Sequence, residues 1–87
     1  MGRMIVYSTG FCAYCFLAKR LLDRRGIEYV ERKLTRRPSD RAELELLARG
    51  GRTFPQIFLD GEPIGGFAEL RRLDRDGTLE RMLSDRP

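Results

Sequence analysis

The stretch MIVYSTGFCAYCFLAKRLLDRRG, residues 4–26, decides how this chain is read. Its first five residues, Met4 to Ser8, form a short apolar, β-branched run that predicts a buried strand. Gly10, Phe11 and Cys12 then turn the chain. From Ala13 to Arg25, the residues Leu17, Ala18, Leu21 and Leu22 recur at helical spacing, with Lys19, Arg20, Asp23 and Arg24 opposite them. Gly26 is a natural stop for that helix. Cys12 and Cys15, the only cysteines of a chain that has no histidine, fall where strand hands over to helix.

That placement carries chemistry. Cys12 is expected at the N-terminal edge of the helix and Cys15 one turn inside, with both sulfurs on one face. The first N–H groups of a helix have no internal partners, and the macrodipole there is positive. A thiolate at Cys12 accepts those hydrogen bonds, so its pKa is expected to fall from about 8.5 into the range of roughly 3.5–7.5. Cys15 lies further in and is expected to stay protonated until needed. The asymmetry points to Cys12 as attacking thiol and Cys15 as resolving thiol. The competing readings explain less. A disulfide across so short a loop contributes about 2 kcal/mol in the chain-entropy model, against about 3 for fifteen residues. A closed zinc site needs four ligands, and two thiols without a histidine do not supply them. Two inert buried cysteines are the remaining structural reading, but a C-x-x-C beside a βαβ pattern reads as redox chemistry.

The rest of the chain fits around this unit. Eighty-seven residues suit one domain, residues 1–87, with a thin core. Hydrophobic residues make up 41% and charged residues 34%, the balance of an ordinary soluble globule. The net charge is +4, but 17 basic residues are interspersed with 13 acidic ones. Arg20, Arg24, Arg41 and Arg71 occupy helix-surface positions, so nucleic-acid binding is not expected. A mildly basic rim still attracts a small anionic substrate. No apolar run approaches the roughly 20 residues of a membrane span, and the start shows no signal-peptide pattern. A cytoplasmic location without membrane association is expected, where structural disulfides are rare.

Further along, IEYVERKL (27–34) predicts a second strand. Pro38 and Ser39 open another helix with Ser39 as N-cap. Leu44, Leu47 and Ala48 supply its apolar face, and Gly50-Gly51 ends it. PQIFLDGEPIGG (55–66) holds two short strands joined by Asp60-Gly61, a hairpin signal. Helical patterns follow at 67–74 and 78–84, separated by Asp76-Gly77. The order β-α-β-α-β-β-α predicts an α/β fold. Its first βαβ unit should be parallel and right-handed, and the hairpin completes a mixed four-stranded sheet flanked by helices. Two segments admit a structural and a functional reading. Pro55 in RTFP (52–55) is tolerated at a strand opening, or forms a cis turn that presents the backbone of Phe54 beside Cys12; the residues alone leave trans as the default. Gly65-Gly66 is a simple turn, or lets a ligand approach backbone over a helix N-terminus.

Taken together, VYSTGFCAYC, RTFPQIFLDG and IGGFAEL resemble, in order and spacing, the CPYC, TVP and GG segments of the glutaredoxin family, and the resemblance covers nearly the whole chain. It implies a thioredoxin-like fold, a cis Pro55, and glutathione as co-substrate and reductant, with no bound metal or organic prosthetic group. The implied activity is a disulfide oxidoreductase of electron transport and cell redox homeostasis. It would act as a monomer on disulfide-containing and glutathionylated proteins through Cys12 and Cys15. Tyr14 would flank the glutathione groove, together with Thr53, Phe54 and Pro55. The backbone of Phe54 would pair with the cysteinyl part of glutathione. Gly66, Phe67 and Ala68 would receive the γ-glutamyl end, and Arg52, helped by Arg49, the glycine carboxylate. Three departures stand out: Ala13 replaces a proline, Thr9 a lysine, and Ala68 an aspartate. Two alternatives accompany this reading: an NrdH-type redoxin reduced by thioredoxin reductase, and a carrier of a glutathione-ligated 2Fe–2S cluster.

Overall fold

The computed structural model describes residues 3–48 and 53–84. Strand β1, Met4–Ser8, alternates buried and half-buried residues, with Met4, Val6 and Ser8 inside. Helix α1 follows at Ala13–Arg24. It ends as its sequence dictates: Gly26 adopts φ +70°, its N–H reaches the Asp23 carbonyl, and the Ile27 N–H reaches Leu22. This paired ending, with a left-handed glycine, satisfies two carbonyls that the helix leaves open.

That ending also corrects the second strand. It was expected over 27–34, but β2 runs only Val30–Lys33, because Ile27 is held in the helix cap. β2 pairs in parallel with β1, Ile5 opposite Val30 and Ser8 opposite Lys33. Helix α2, Pro38–Leu47, has Arg37 rather than Ser39 at its N-cap. Pro38 has a fixed φ suited to the first helical position, so Ser39 falls inside the helix. The entry is secured by Asp40, whose carboxylate accepts the Thr35 N–H at 2.8 Å and hydroxyl at 2.6 Å. Those bonds hold the Asp40 carboxyl below its ordinary pKa. Of the apolar face expected here, Leu44 and Ala48 are buried and Leu47 is exposed. Gly50-Gly51, the expected end of this helix, lies outside the described residues.

The hairpin forms as read. Strands β3, Gln56–Leu59, and β4, Glu62–Gly65, flank a two-residue turn in which Asp60 and Gly61 both take positive φ, the geometry that matches strand twist. All four residues of β3 are buried, as expected of a central strand covered on both faces. The sheet order is β2-β1-β3-β4, with β1–β3 and β3–β4 antiparallel. Helices α3, Phe67–Arg75, and α4, Thr78–Ser84, close the chain. Ala18 and Leu22 of α1, Leu70 of α3 and Leu79 of α4 meet Met4, Val6, Ile57 and Leu59 of the sheet in one core. Arg3 ties the start of β1 to the hairpin through Asp60, and to the end of α4 through the Leu83 and Met82 carbonyls. No described helix is long and apolar enough to cross a membrane.

The packing makes α3 a structural hostage of one side chain. Leu70 is fully buried, so Leu70→Ala should cost about 2–5 kcal/mol. Thermal denaturation should show Tm lowered by roughly 10 °C or more in a domain of this size; an unchanged Tm would contradict the packing.

Candidate active site

Topology gathers the site at one end of the sheet. β1 runs into the loop before α1, and the antiparallel register that sets Tyr7 opposite Gln56 brings Pro55 to the same end. β4 leaves that end for α3. The three segments singled out in the sequence therefore converge there.

Cys12 is the N-cap of α1, with extended backbone at φ −122° and ψ 105°. The Cys15 N–H donates to Cys12 Sγ across 3.1 Å. Cysteine thus stands where Ser, Thr or Asp commonly caps a helix, and its sulfur is the capping acceptor. The two cysteines form a disulfide, with Cα atoms 5.2 Å apart. Cys12 is half-buried, whereas Cys15 is 2% exposed. A sulfur that faces water and helix N–H groups is a nucleophile and leaving group of low pKa; a sheltered one reacts only with what its neighbour has already captured.

Around the disulfide the surface is apolar. Phe11, Tyr14 and Phe16 are all well exposed. Phe11 adopts φ +52°, which is costly for an aromatic residue; it turns the chain so that Cys12 can cap α1. Tyr14 stacks on Phe67 with ring centroids 6.0 Å apart, which joins the starts of α1 and α3. The Phe54–Pro55 peptide bond is cis, as the family resemblance implied and the residues alone did not. Thr53 is exposed, and its carbonyl accepts from the Gln56 side chain at 2.9 Å. Arg52 and Arg49 lie outside the described residues. Thr9 is buried, so its side chain is not offered to a ligand.

The first glycine of the Gly65-Gly66 pair has a reason within the protein: Gly65 takes φ +122°, and a Cβ there would lie 2.9 Å from Glu69 Cγ. A Cβ on Gly66 would meet the Pro55 carbonyl at 3.4 Å, an ordinary contact distance. Glu69 folds back so that its Oε1 accepts the Gly66 N–H at 2.8 Å, the carboxylate half of a capping box. Gly66 is the N-cap of α3, Phe67 its first residue, and Ala68 is exposed beside it.

Two features were not legible in the sequence. Arg36 reaches across from the β2–α2 loop and donates to the Gly10 carbonyl at 3.2 Å, which pins the loop that carries Cys12. Under α1, the Glu31 carboxylate accepts from Lys19 Nζ at 2.8 Å and from the Ser8 hydroxyl at 2.6 Å. Lys19 first, then Ser8, hold the Glu31 carboxyl below its ordinary pKa. Both contacts join residues far apart in sequence, so no local pattern announces them.

This arrangement defines a thiol–disulfide oxidoreductase, and the comparisons agree. A model of the glutaredoxin family matches residues 4–64. The chain is 39% identical over 84 residues to a glutaredoxin of Pseudomonas aeruginosa, an alignment that covers 97% of this chain and 99% of that protein. Among solved structures, a buckwheat glutaredoxin–glutathione complex superposes with a TM-score of 0.83 at 34% identity, covering 95% of this chain and 77% of that one. The solution structure of a Brucella melitensis glutaredoxin gives a TM-score of 0.80 at 38% identity, covering 95% and 89%. The chain belongs to the glutaredoxin family.

The capping geometry fixes an expected acidity. In reduced Cys15→Ser protein, thiolate absorbance in the ultraviolet should give Cys12 a midpoint below the ordinary thiol value of about 8.5. A midpoint at or above that value would contradict a helix-stabilised thiolate.

Proposed function

We propose that this protein is a glutathione-dependent dithiol oxidoreductase in which Cys12 attacks and Cys15 resolves. One observation carries the reading: the sulfur of half-buried Cys12 caps a helix and that of buried Cys15 does not. On a glutathionylated protein, the Cys12 thiolate attacks the glutathionyl sulfur. A Cys12–glutathione disulfide forms, the sulfur–sulfur bond between glutathione and the protein breaks, and the departing protein thiolate takes a proton from water. A second glutathione, as thiolate, attacks this mixed disulfide, releases oxidised glutathione and restores the Cys12 thiolate. On a protein disulfide, Cys12 first forms a mixed disulfide with the substrate. Cys15, losing its proton, displaces the second substrate thiol and closes the Cys12–Cys15 bond. Two glutathiones then return the pair to dithiol, one oxidised glutathione leaving.

The dependence on glutathione is supported by the family, by a structural relative described as a glutathione complex, and by the convergence of Pro55 with the start of α3, where the family resemblance puts the glutathione groove. Tyr14 stacks on Phe67 at that helix start. The N–H groups of Phe67 and Ala68 suit the γ-glutamyl carboxylate, and Arg52 suits the glycine carboxylate. Glu69 is already engaged by the Gly66 N–H, so the γ-glutamyl ammonium has no side chain dedicated to it.

The roles are separable by mutation. Cys12→Ser should abolish turnover of all substrates in an assay coupled to glutathione and its reductase. Cys15→Ser should keep turnover of glutathione mixed disulfides and lose most reduction of protein disulfides. Equal loss in both variants on the mixed disulfide would sink the assignment.

A second variant tests the glutathione pose. Ala68→Asp should supply the missing partner for the ammonium, worth about 0.5–1 kcal/mol at an exposed site, or roughly two- to fivefold. It should lower KM for glutathione mixed disulfides with kcat nearly unchanged. An unchanged or raised KM would contradict binding in this groove.

A further inference from the structure

An open groove of about 490 Å³ runs between α1 and α3 on the outer surface. Leu17, Leu21 and Phe67 line it, and its rims carry Arg20, Arg24 and Arg25 from α1 and Arg71 and Arg75 from α3. Asp74 is the acidic residue among its described lining, and Arg25 holds it at 2.9 Å. Arg20, Arg24, Arg71 and Arg75 are exposed, and their side chains make no hydrogen bond or ion pair with any described residue. The interspersed bases of the sequence are therefore sorted by folding into a cationic groove whose charge excess equals that of the whole chain, +4.

One end of the groove lies beside Tyr14, the chain neighbour of Cys15. Phe67 lines it and stacks on Tyr14, the residue between Ala13 and Cys15. The two helices begin together at this stacked pair and lie together again at the Arg25–Asp74 ion pair, so they run side by side in the same direction. From Tyr14 to Arg25 the helix rise gives about 16 Å, the span of about five residues of extended polypeptide.

We propose that this groove docks the polypeptide segment beside the target cysteine of a protein substrate, and that it selects acidic segments bearing an apolar side chain. The proposal rests on the function proposed above. Four guanidinium groups without a partner among the described residues supply the charge complement for carboxylates, and Leu17, Leu21 and Phe67 supply the apolar floor. Nucleic acid fits less well: single strands bind where aromatic rings are free to stack on bases, and the Phe67 ring is already stacked on Tyr14. A docked segment adds attraction that the free tripeptide does not share. The groove therefore discriminates among protein substrates and leaves turnover of small glutathione mixed disulfides untouched.

The test compares two short glutathionylated peptides that differ only in having Glu or Gln within about five residues of the cysteine. Wild-type kcat/KM should favour the acidic peptide by roughly tenfold at about 0.05 M salt, and by no more than about twofold at about 0.5 M. Arg24→Glu combined with Arg75→Glu should erase the preference, with turnover of a small glutathione mixed disulfide and the circular dichroism spectrum unchanged. Arg24→Lys combined with Arg75→Lys should keep most of it. Equal turnover of both peptides by the wild type, or a preference that survives charge reversal, would overturn the groove while the functional reading stands. Failure to turn over any glutathione-bearing substrate would overturn both. A short single-stranded oligonucleotide that inhibits more strongly than the free acidic peptide would give the groove to nucleic acid and overturn the proposal.

Discussion

One backbone N–H, that of Cys15, donates to Cys12 Sγ, and the chemistry of the molecule follows from where that bond sits. It requires Cys12 at the N-cap, hence a helix that starts at Ala13, hence a turn at Gly10 and Phe11 steep enough to place a non-glycine residue at positive φ. The rest of the fold holds that turn. β1 is pinned between β2 and β3, Ala18 and Leu22 seat α1 on the sheet, and Arg36 grips the Gly10 carbonyl. A loop free to relax would release the N-cap and with it the difference between the two sulfurs.

A second constraint is convergence. Three segments that are remote in sequence meet at one end of the sheet because β1 and β4 leave from it and β3 enters there. The meeting brings Gly66 to within contact of the Pro55 carbonyl and leaves no room for a side chain at Gly65 beside Glu69. The engagement of Glu69 with the Gly66 N–H stabilises the start of α3 while placing a carboxylate at a terminus suited to binding one.

Much of this was legible in the residues. Met4–Ser8 is a short apolar, β-branched run, Ala13–Arg24 carries a helical pattern, and Asp60-Gly61 is a specific turn signal, so these elements form where read. The errors arise where local rules compete. Ile27 looks like strand but is drawn into the cap of α1; Ser39 looks like an N-cap, yet Pro38 starts the helix ahead of it. What no local pattern reveals is the company a surface residue keeps. Arg20, Arg24 and Arg71 read as ordinary solvated positions, and only the side-by-side packing of α1 and α3 joins them with Arg75 in one groove. The same holds for Arg36 on Gly10 and for Lys19 and Ser8 on Glu31.

The central claim is that the fold divides two chemically identical thiols into one reactive and one reserved. Competitive alkylation tests it most directly: the fully reduced protein is treated near neutral pH with less than one equivalent of iodoacetamide, and the modified residue is located by mass spectrometry. The account predicts label on Cys12 with Cys15 almost untouched. Equal labelling of the two, or label on Cys15 first, would contradict it.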